Sequence, residues 1–148
     1  MKKIKIVLTA IVMLFAATAF AVESENVTPK VKAAFQSNFS KASQVNWEKT
    51  SDFYFATFQL NNCGVTAAYN EEGELVGTSR KISAEQLPLS ISLVIAEKYA
   101  GLEMDKTATE LTYEGQTRYY INVENKTHVI KLKCYTDGEI SVESKIKK

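Results

Sequence analysis

The chain has 148 residues, 45% of them hydrophobic, with 18 basic and 17 acidic side chains. That balance leaves no basic excess to hold a nucleic acid or an anionic membrane surface, and the length suffices to bury a core without covalent staples. One histidine and two distant cysteines are too few ligands for a histidine-based metal site.

Residues 1–21 read as a signal peptide. Lys2, Lys3 and Lys5 form a positive start, Ile6 to Ala19 is almost wholly apolar, and Ala19-Phe20-Ala21 is a small-x-small cleavage site. The apolar run is about 14 to 16 residues, below the roughly 20 that a bilayer-spanning helix needs. Cleavage after Ala21 would leave 127 residues starting at Val22, with 15 basic and 17 acidic side chains and a net charge of −2. No cysteine stands just after the cleavage site, so a lipid anchor is not indicated; no stable membrane anchor is expected, and the destination is the periplasm or the exterior.

Thr28 is suited to cap a helix and Pro29 to begin it, with Val31, Ala34, Phe35 and Phe39 on one stripe at helical spacing. A leading strand near Val45 to Glu48 follows, then strands over Phe53 to Leu60, Gly64 to Tyr69 and Glu74 to Arg80, separated by Asn61-Asn62 and Asn70-Glu71-Glu72-Gly73. Ser83-Ala84-Glu85-Gln86 has the form of a capping box, Pro88 starts a second helix and Gly101 stops it. Leu89, Ile91, Val94, Ile95 and Tyr99 supply its apolar side. Strands near Thr107 to Glu114 and over Arg118 to Glu124, His128 to Tyr135 and Glu139 to Val142 complete the chain, with turns at Asn125-Lys126-Thr127 and Thr136-Asp137-Gly138.

The same plan therefore occurs twice. The helix residues Val31, Ala34, Phe35 and Phe39 match Ile91, Val94, Ile95 and Tyr99 at an offset of 60. Trp47-Glu48, Phe53-Tyr54 and Tyr69 match Tyr113-Glu114, Tyr119-Tyr120 and Tyr135 at 66, and the glycines Gly73 and Gly138 match at 65. The expected fold is α+β, with tandem αββββ units forming an antiparallel sheet and helices on one face. A first half-unit at 22–82 and a second at 83–148 would make one continuous domain.

Strand alternation puts Tyr119, Ile121, Val123, Ile130, Leu132 and Cys134 under the second helix and turns Tyr120, Asn122, Lys131, Lys133 and Tyr135 away from it. Carried through the offset of 66, this parity puts Phe53, Phe55 and Thr57 under the first helix. Tyr54, Phe58, Val65 and Tyr69 are then left on the opposite side. The candidate binding residues are accordingly Tyr54, Phe58, Tyr69, Tyr120, Lys131 and Tyr135, expected on one exposed aromatic sheet surface.

No catalytic constellation accompanies them. His128 follows a turn, no Gly-x-Ser-x-Gly pattern or Cys-x-x-Cys pair occurs, and Glu71, Glu72 and Glu74 cluster in a hairpin turn. No catalytic residue, cofactor or metal ligand is expected. Export favours a bridge between Cys63 and Cys134, whereas strand parity sends them to opposite faces, so the sequence leaves their pairing open. Asn26-Val27-Thr28, Asn38-Phe39-Ser40 and Asn125-Lys126-Thr127 are sequons that would matter only in a eukaryotic secretory pathway.

Pro29, Phe35, Phe39, Val45-Asn46-Trp47-Glu48, Tyr69 through Gly73, and Leu87-Pro88 leading to Tyr99 resemble the PepSY-like, β-lactamase-inhibitor-like proteins, which are secreted or periplasmic proteins of Bacteroidetes. The resemblance covers essentially the whole chain after the leader. It implies a continuous curved sheet and a binding or inhibitory module, because β-lactamase inhibitor proteins grip an enzyme with the concave sheet face. The partner classes it suggests are an envelope protein, a peptidase or a peptide. The competing reading is a ligand-sensing or structural envelope component whose sheet face serves self-association.

Overall fold

The computed structural model describes residues Asn26–Lys148. The signal peptide and its cleavage position lie outside the described residues. The architecture is α+β, with helices and antiparallel strands. Two compact units divide it, the first ending at Arg80 and the second spanning Lys81–Lys148.

In the first unit, helix α1 (Pro29–Asn38) starts as its sequence dictates. The Thr28 hydroxyl accepts the Val31 N–H at 3.3 Å, and Pro29 occupies the first turn, where a missing N–H costs nothing. Strands β1 (Ser43–Lys49), β2 (Tyr54–Leu60), β3 (Cys63–Tyr69) and β4 (Leu75–Ser83) pair in sequence order. Asn61 and Asn62, at φ 51° and 64°, close the two-residue hairpin between β2 and β3, the left-handed geometry such a turn demands and asparagine tolerates.

Val31 and Phe35 of α1 pack with Trp47, Tyr54, Ala56, Phe58, Val65, Ala67 and Tyr69 of the strands beneath it. This corrects the expected parity: Tyr54, Phe58 and Tyr69 are core. Phe55 and Thr57 stand on the alternate positions of β2, where Phe55 pairs with Ala68 and Thr57 with Thr66, and Phe53 precedes the strand. The reason is a one-residue slip. The core positions Tyr54, Ala56 and Phe58 correspond to Tyr119, Ile121 and Val123, and Ala67 and Tyr69 to Leu132 and Cys134, all at an offset of 65. In a sheet a shift of one residue turns every side chain over. The glycine offset is the structural one.

The second unit opens with a single 3-10 turn, Ala84–Gln86, which is what the Ser83 capping box closes. Helix α2 (Leu89–Lys98) begins afterwards from Pro88, without a side-chain cap. It is followed by the two-residue β5 (Glu103–Met104), then β6 (Thr107–Tyr113), β7 (Gln116–Glu124), β8 (His128–Tyr135) and β9 (Ile140–Lys147). β6 to β9 pair in order, and β5 pairs with β7. Ile91, Ile95, Ala108, Tyr119, Ile121, Val123, Leu132 and Cys134 form the core, with Ile130 packed against it, as alternation predicts. Leu89, expected on the apolar side of α2, is instead 71% exposed, as is Leu93 at 61%, because Ile91 and Ile95 define the buried stripe.

The first hairpin of the second unit is the longer one. Lys49 stands opposite Tyr54, and the residue opposite the equivalent Tyr119 is Glu110, 61 positions after Lys49. Tyr113 therefore does not correspond to Trp47. It belongs to an extension of β6 and β7 that reverses through Glu114 and Gly115, at φ 49° and 74°.

One glycine in each unit fixes the last hairpin against the helix. Gly73 has φ +76°, and a Cβ there would lie 3.2 Å from the Lys30 carbonyl oxygen; Gly138 has φ +93°, and its Cβ would lie 3.2 Å from that of Ser90. Lys30 and Ser90 are each the second residue of their helix. The Ser90 hydroxyl also donates to the Thr136 carbonyl at 2.9 Å.

Candidate binding face

The six candidate residues separate into two environments. Tyr54, Phe58 and Tyr69 are 2%, 1% and 0% exposed among the side chains beneath α1. Tyr69 donates its phenol hydrogen to Asn38 Oδ1 at 3.2 Å, and burial pushes its pKa up to about 12. These three residues hold the first unit together. Tyr120, Lys131 and Tyr135 stand on the side of the second unit's sheet that faces away from α2, as alternation requires.

That second side is not simply open. Tyr120 is 4% exposed, and Leu111 and Tyr113 are buried as well, while Arg118, Lys131, Lys133 and Tyr135 are half-buried. The first unit's sheet likewise buries Phe55, Thr66, Ala68 and Ser79 on the alternate positions of its strands. Alternation misreads such strands, because side chains of both parities are buried. Ser79 Oγ is buried without a hydrogen-bond partner.

Within the second unit, Arg118 pairs across the strands with Tyr135, Tyr120 with Lys133, and Asn122 with Lys131. The side chains interleave cations with phenol rings. Lys131 Nζ lies 5.5 Å from the Tyr120 ring centre, and Lys133 Nζ and the Arg118 guanidinium carbon lie 5.6 and 5.8 Å from that of Tyr135. These distances are in the range where a cation is attracted to the face of a ring. Burial lowers the Lys131 pKa, opposed by Glu143; the Tyr120 phenol is pushed up to about 12, mainly by burial and further by Glu143.

Sequence reasoning put Arg118 in the strand without giving it a role. Its spacing from Tyr120, two residues along one strand, was the available signal.

His128 is engaged within its own turn. His128 Nδ1 is 2.8 Å from the Thr127 hydroxyl, and its backbone N–H donates to Asn125 Oδ1 within the same turn. Cys134 is buried in the core with its thiol pKa pushed up to about 11, and Cys63 is exposed. Both thiols are free. Among the described residues no three His, Cys, Asp or Glu side chains are grouped to hold a metal ion. A cleft of about 300 Å³ near Gly101, Glu103, Glu124 and Lys148 is polar and contains the 2.9 Å ion pair of Lys148 with Glu124.

No protein-family model matches the chain, and no curated protein matches it. Solved structures do. A DUF2874 family protein from Bacteroides uniformis superposes with a TM-score of 0.68 at 17% identity, covering 81% of this chain and 88% of the other. A BLIP-like protein from Bacteroides fragilis superposes with a TM-score of 0.69 at 18% identity, covering 82% and 87%. A protein from Bacteroides eggerthii described as periplasmic gives 0.69 at 16% identity, covering 82% and 88%. Likeness at these identities establishes the fold, which this chain shares with the BLIP-like protein. Among the described residues no helix is long and apolar enough to cross a membrane.

Proposed function

We propose that the chain is an exported, non-catalytic binding module that docks a protein or peptide through the face of the second unit's sheet turned away from α2. The observation that carries this reading is the interleaving of Arg118, Lys131 and Lys133 with the rings of Tyr120 and Tyr135. Arginine and tyrosine are side chains from which interface anchors are commonly built. Partial burial holds these side chains in place, so ordering them on binding costs less. Export is supported by the leader pattern of residues 1–21 and by a fold shared with a protein described as periplasmic.

The test is capture from an envelope extract with the mature chain and with its Arg118→Ser/Tyr135→Ala variant. Loss of the captured partner with unchanged urea unfolding supports the reading; equal capture by both chains removes this face from consideration.

A second reading is self-association. It is favoured by Val142 and Ile146 of β9, which are 54% and 63% exposed on the terminal strand of the second unit's sheet. Sedimentation of the mature chain distinguishes the two. A concentration-dependent dimer that Val142→Thr/Ile146→Thr dissolves supports self-association, and a monomer at all concentrations leaves docking.

A further inference from the structure

The second unit carries ten basic and ten acidic side chains, so its charge is balanced overall. The balance does not hold locally. On the strand face described above stand Arg118, Lys131 and Lys133, whereas the carboxylate acting on this group is Glu143, felt by Lys131 and Tyr120. Glu124, on an alternate position of the same strand as Arg118, is engaged with Lys148 at 2.9 Å. Among the described residues none of the three cations is in an ion pair.

The sharpest imbalance is at Tyr135. Two cations, Arg118 from the neighbouring strand and Lys133 from the same strand, approach its ring at 5.8 and 5.6 Å. Each gains the modest attraction of a cation for a ring, and each is repelled by the other. Arg118 donates to Gln116 Oε1 at 2.8 Å, but its Nε–H is buried without an acceptor. A guanidinium held by so few of its donors is poised for a carboxylate. Lys131, Lys133 and Tyr135 alternate along β8 with a repeat of roughly 7 Å. Alternate side chains of an extended peptide have the same repeat. A lipid headgroup layer offers anions without that linear spacing.

We infer that this face receives an acidic peptide segment in extended conformation, whose carboxylates meet Arg118 and Lys133 on either side of Tyr135 and Lys131 beyond. The inference rests on the docking reading above and specifies its partner chemistry.

The experiment uses the full mature chain and short capped peptides that alternate Glu, Gln or Lys with Thr, with phosphatidylglycerol vesicles as the other source of anions. The Glu peptide is expected to bind about tenfold more tightly than the Gln peptide, with the Lys peptide weakest and binding falling as salt rises. Arg118→Gln/Lys133→Gln should lower its affinity about tenfold with an unchanged melting temperature. Lys133→Gln alone serves if the pair destabilises the fold. Equal binding of the Glu and Gln peptides, or failure of the Glu peptide to bind, overturns the inference. Vesicle binding that the substitutions abolish, without peptide binding, also overturns it in favour of a lipid surface. The docking reading fails separately, through capture that is indifferent to Arg118→Ser/Tyr135→Ala.

Discussion

The two units use one framework with different fillings. Under α1 the core is aromatic: the Phe35 ring lies 5.6, 5.2, 5.1 and 6.4 Å from those of Phe39, Trp47, Phe58 and Tyr69. In the second unit Ile91 and Ile95 of α2 meet mainly Ile121, Val123, Leu132 and Cys134. What the units share is positional: buried residues at an offset of 65 along the strands, and a left-handed glycine set against the second residue of the helix. Side-chain identity is free to vary where volume and parity are kept. The aromatic residues excluded from the second core are available on its other face, where Tyr120 and Tyr135 meet cations.

Large-to-small substitutions test that contrast most strongly. Phe35→Ala should cost about 3–5 kcal/mol, and Ile91→Ala about 2–4 kcal/mol, in urea unfolding. Equal losses would mean that the ring cluster contributes nothing beyond its volume.

Alkaline pH probes both sides of the comparison. The Tyr69 and Tyr120 phenols ionise near 10 when unfolded and near 12 when folded. The unfolded chain therefore releases these protons first. The stability they contribute is full below pH 10, is lost as pH rises toward 12, and amounts to roughly 3 kcal/mol at most for each phenol. Tyr69→Phe should reduce this alkaline slope in chemical denaturation from pH 9 to 12. An unchanged slope would show that Tyr69 is solvated.

The glycines should behave alike. Gly73→Ala and Gly138→Ala each force a Cβ into the left-handed region and toward a helix carbonyl, at a cost of about 1–2 kcal/mol. A large cost in one unit alone would mean that the shared hairpin contact is not a common support. The smallest effect belongs to Ser79→Ala. Removing a buried hydroxyl that has no partner should be neutral or stabilise by up to about 1 kcal/mol. Clear destabilisation in thermal unfolding would reveal a hidden hydrogen bond.

Local chemistry was readable in the sequence wherever one residue decides one conformation. Thr28 and Pro29 begin a helix, Asn61-Asn62 closes a hairpin, and the alternation of Tyr119, Ile121 and Val123 sets a buried face. The alignment of the halves was not. Matching Tyr54 to Tyr120 rewards likeness of ring, yet one lies beneath its helix and the other faces away. The longer β6–β7 hairpin breaks the spacing between helix and strands, and only Glu114-Gly115 betrays it. Runs such as Tyr54-Phe55-Ala56 are buried throughout, so their period carries no information about which face meets the helix. The candidate face was half legible for the same reason: its second-unit residues follow from local alternation, and its first-unit residues depended on the alignment.

The unequal cysteines have a practical corollary. A neutral-pH alkylating reagent meets an exposed thiol at Cys63, while Cys134 is buried with its pKa pushed up to about 11, leaving little thiolate to react. The native chain thus offers one address for a fluorophore or spin label, beside the β2–β3 hairpin turn. Slow modification of Cys134 becomes a clock for transient opening of the second unit, so a bound partner's protection of that unit could be timed without altering a residue.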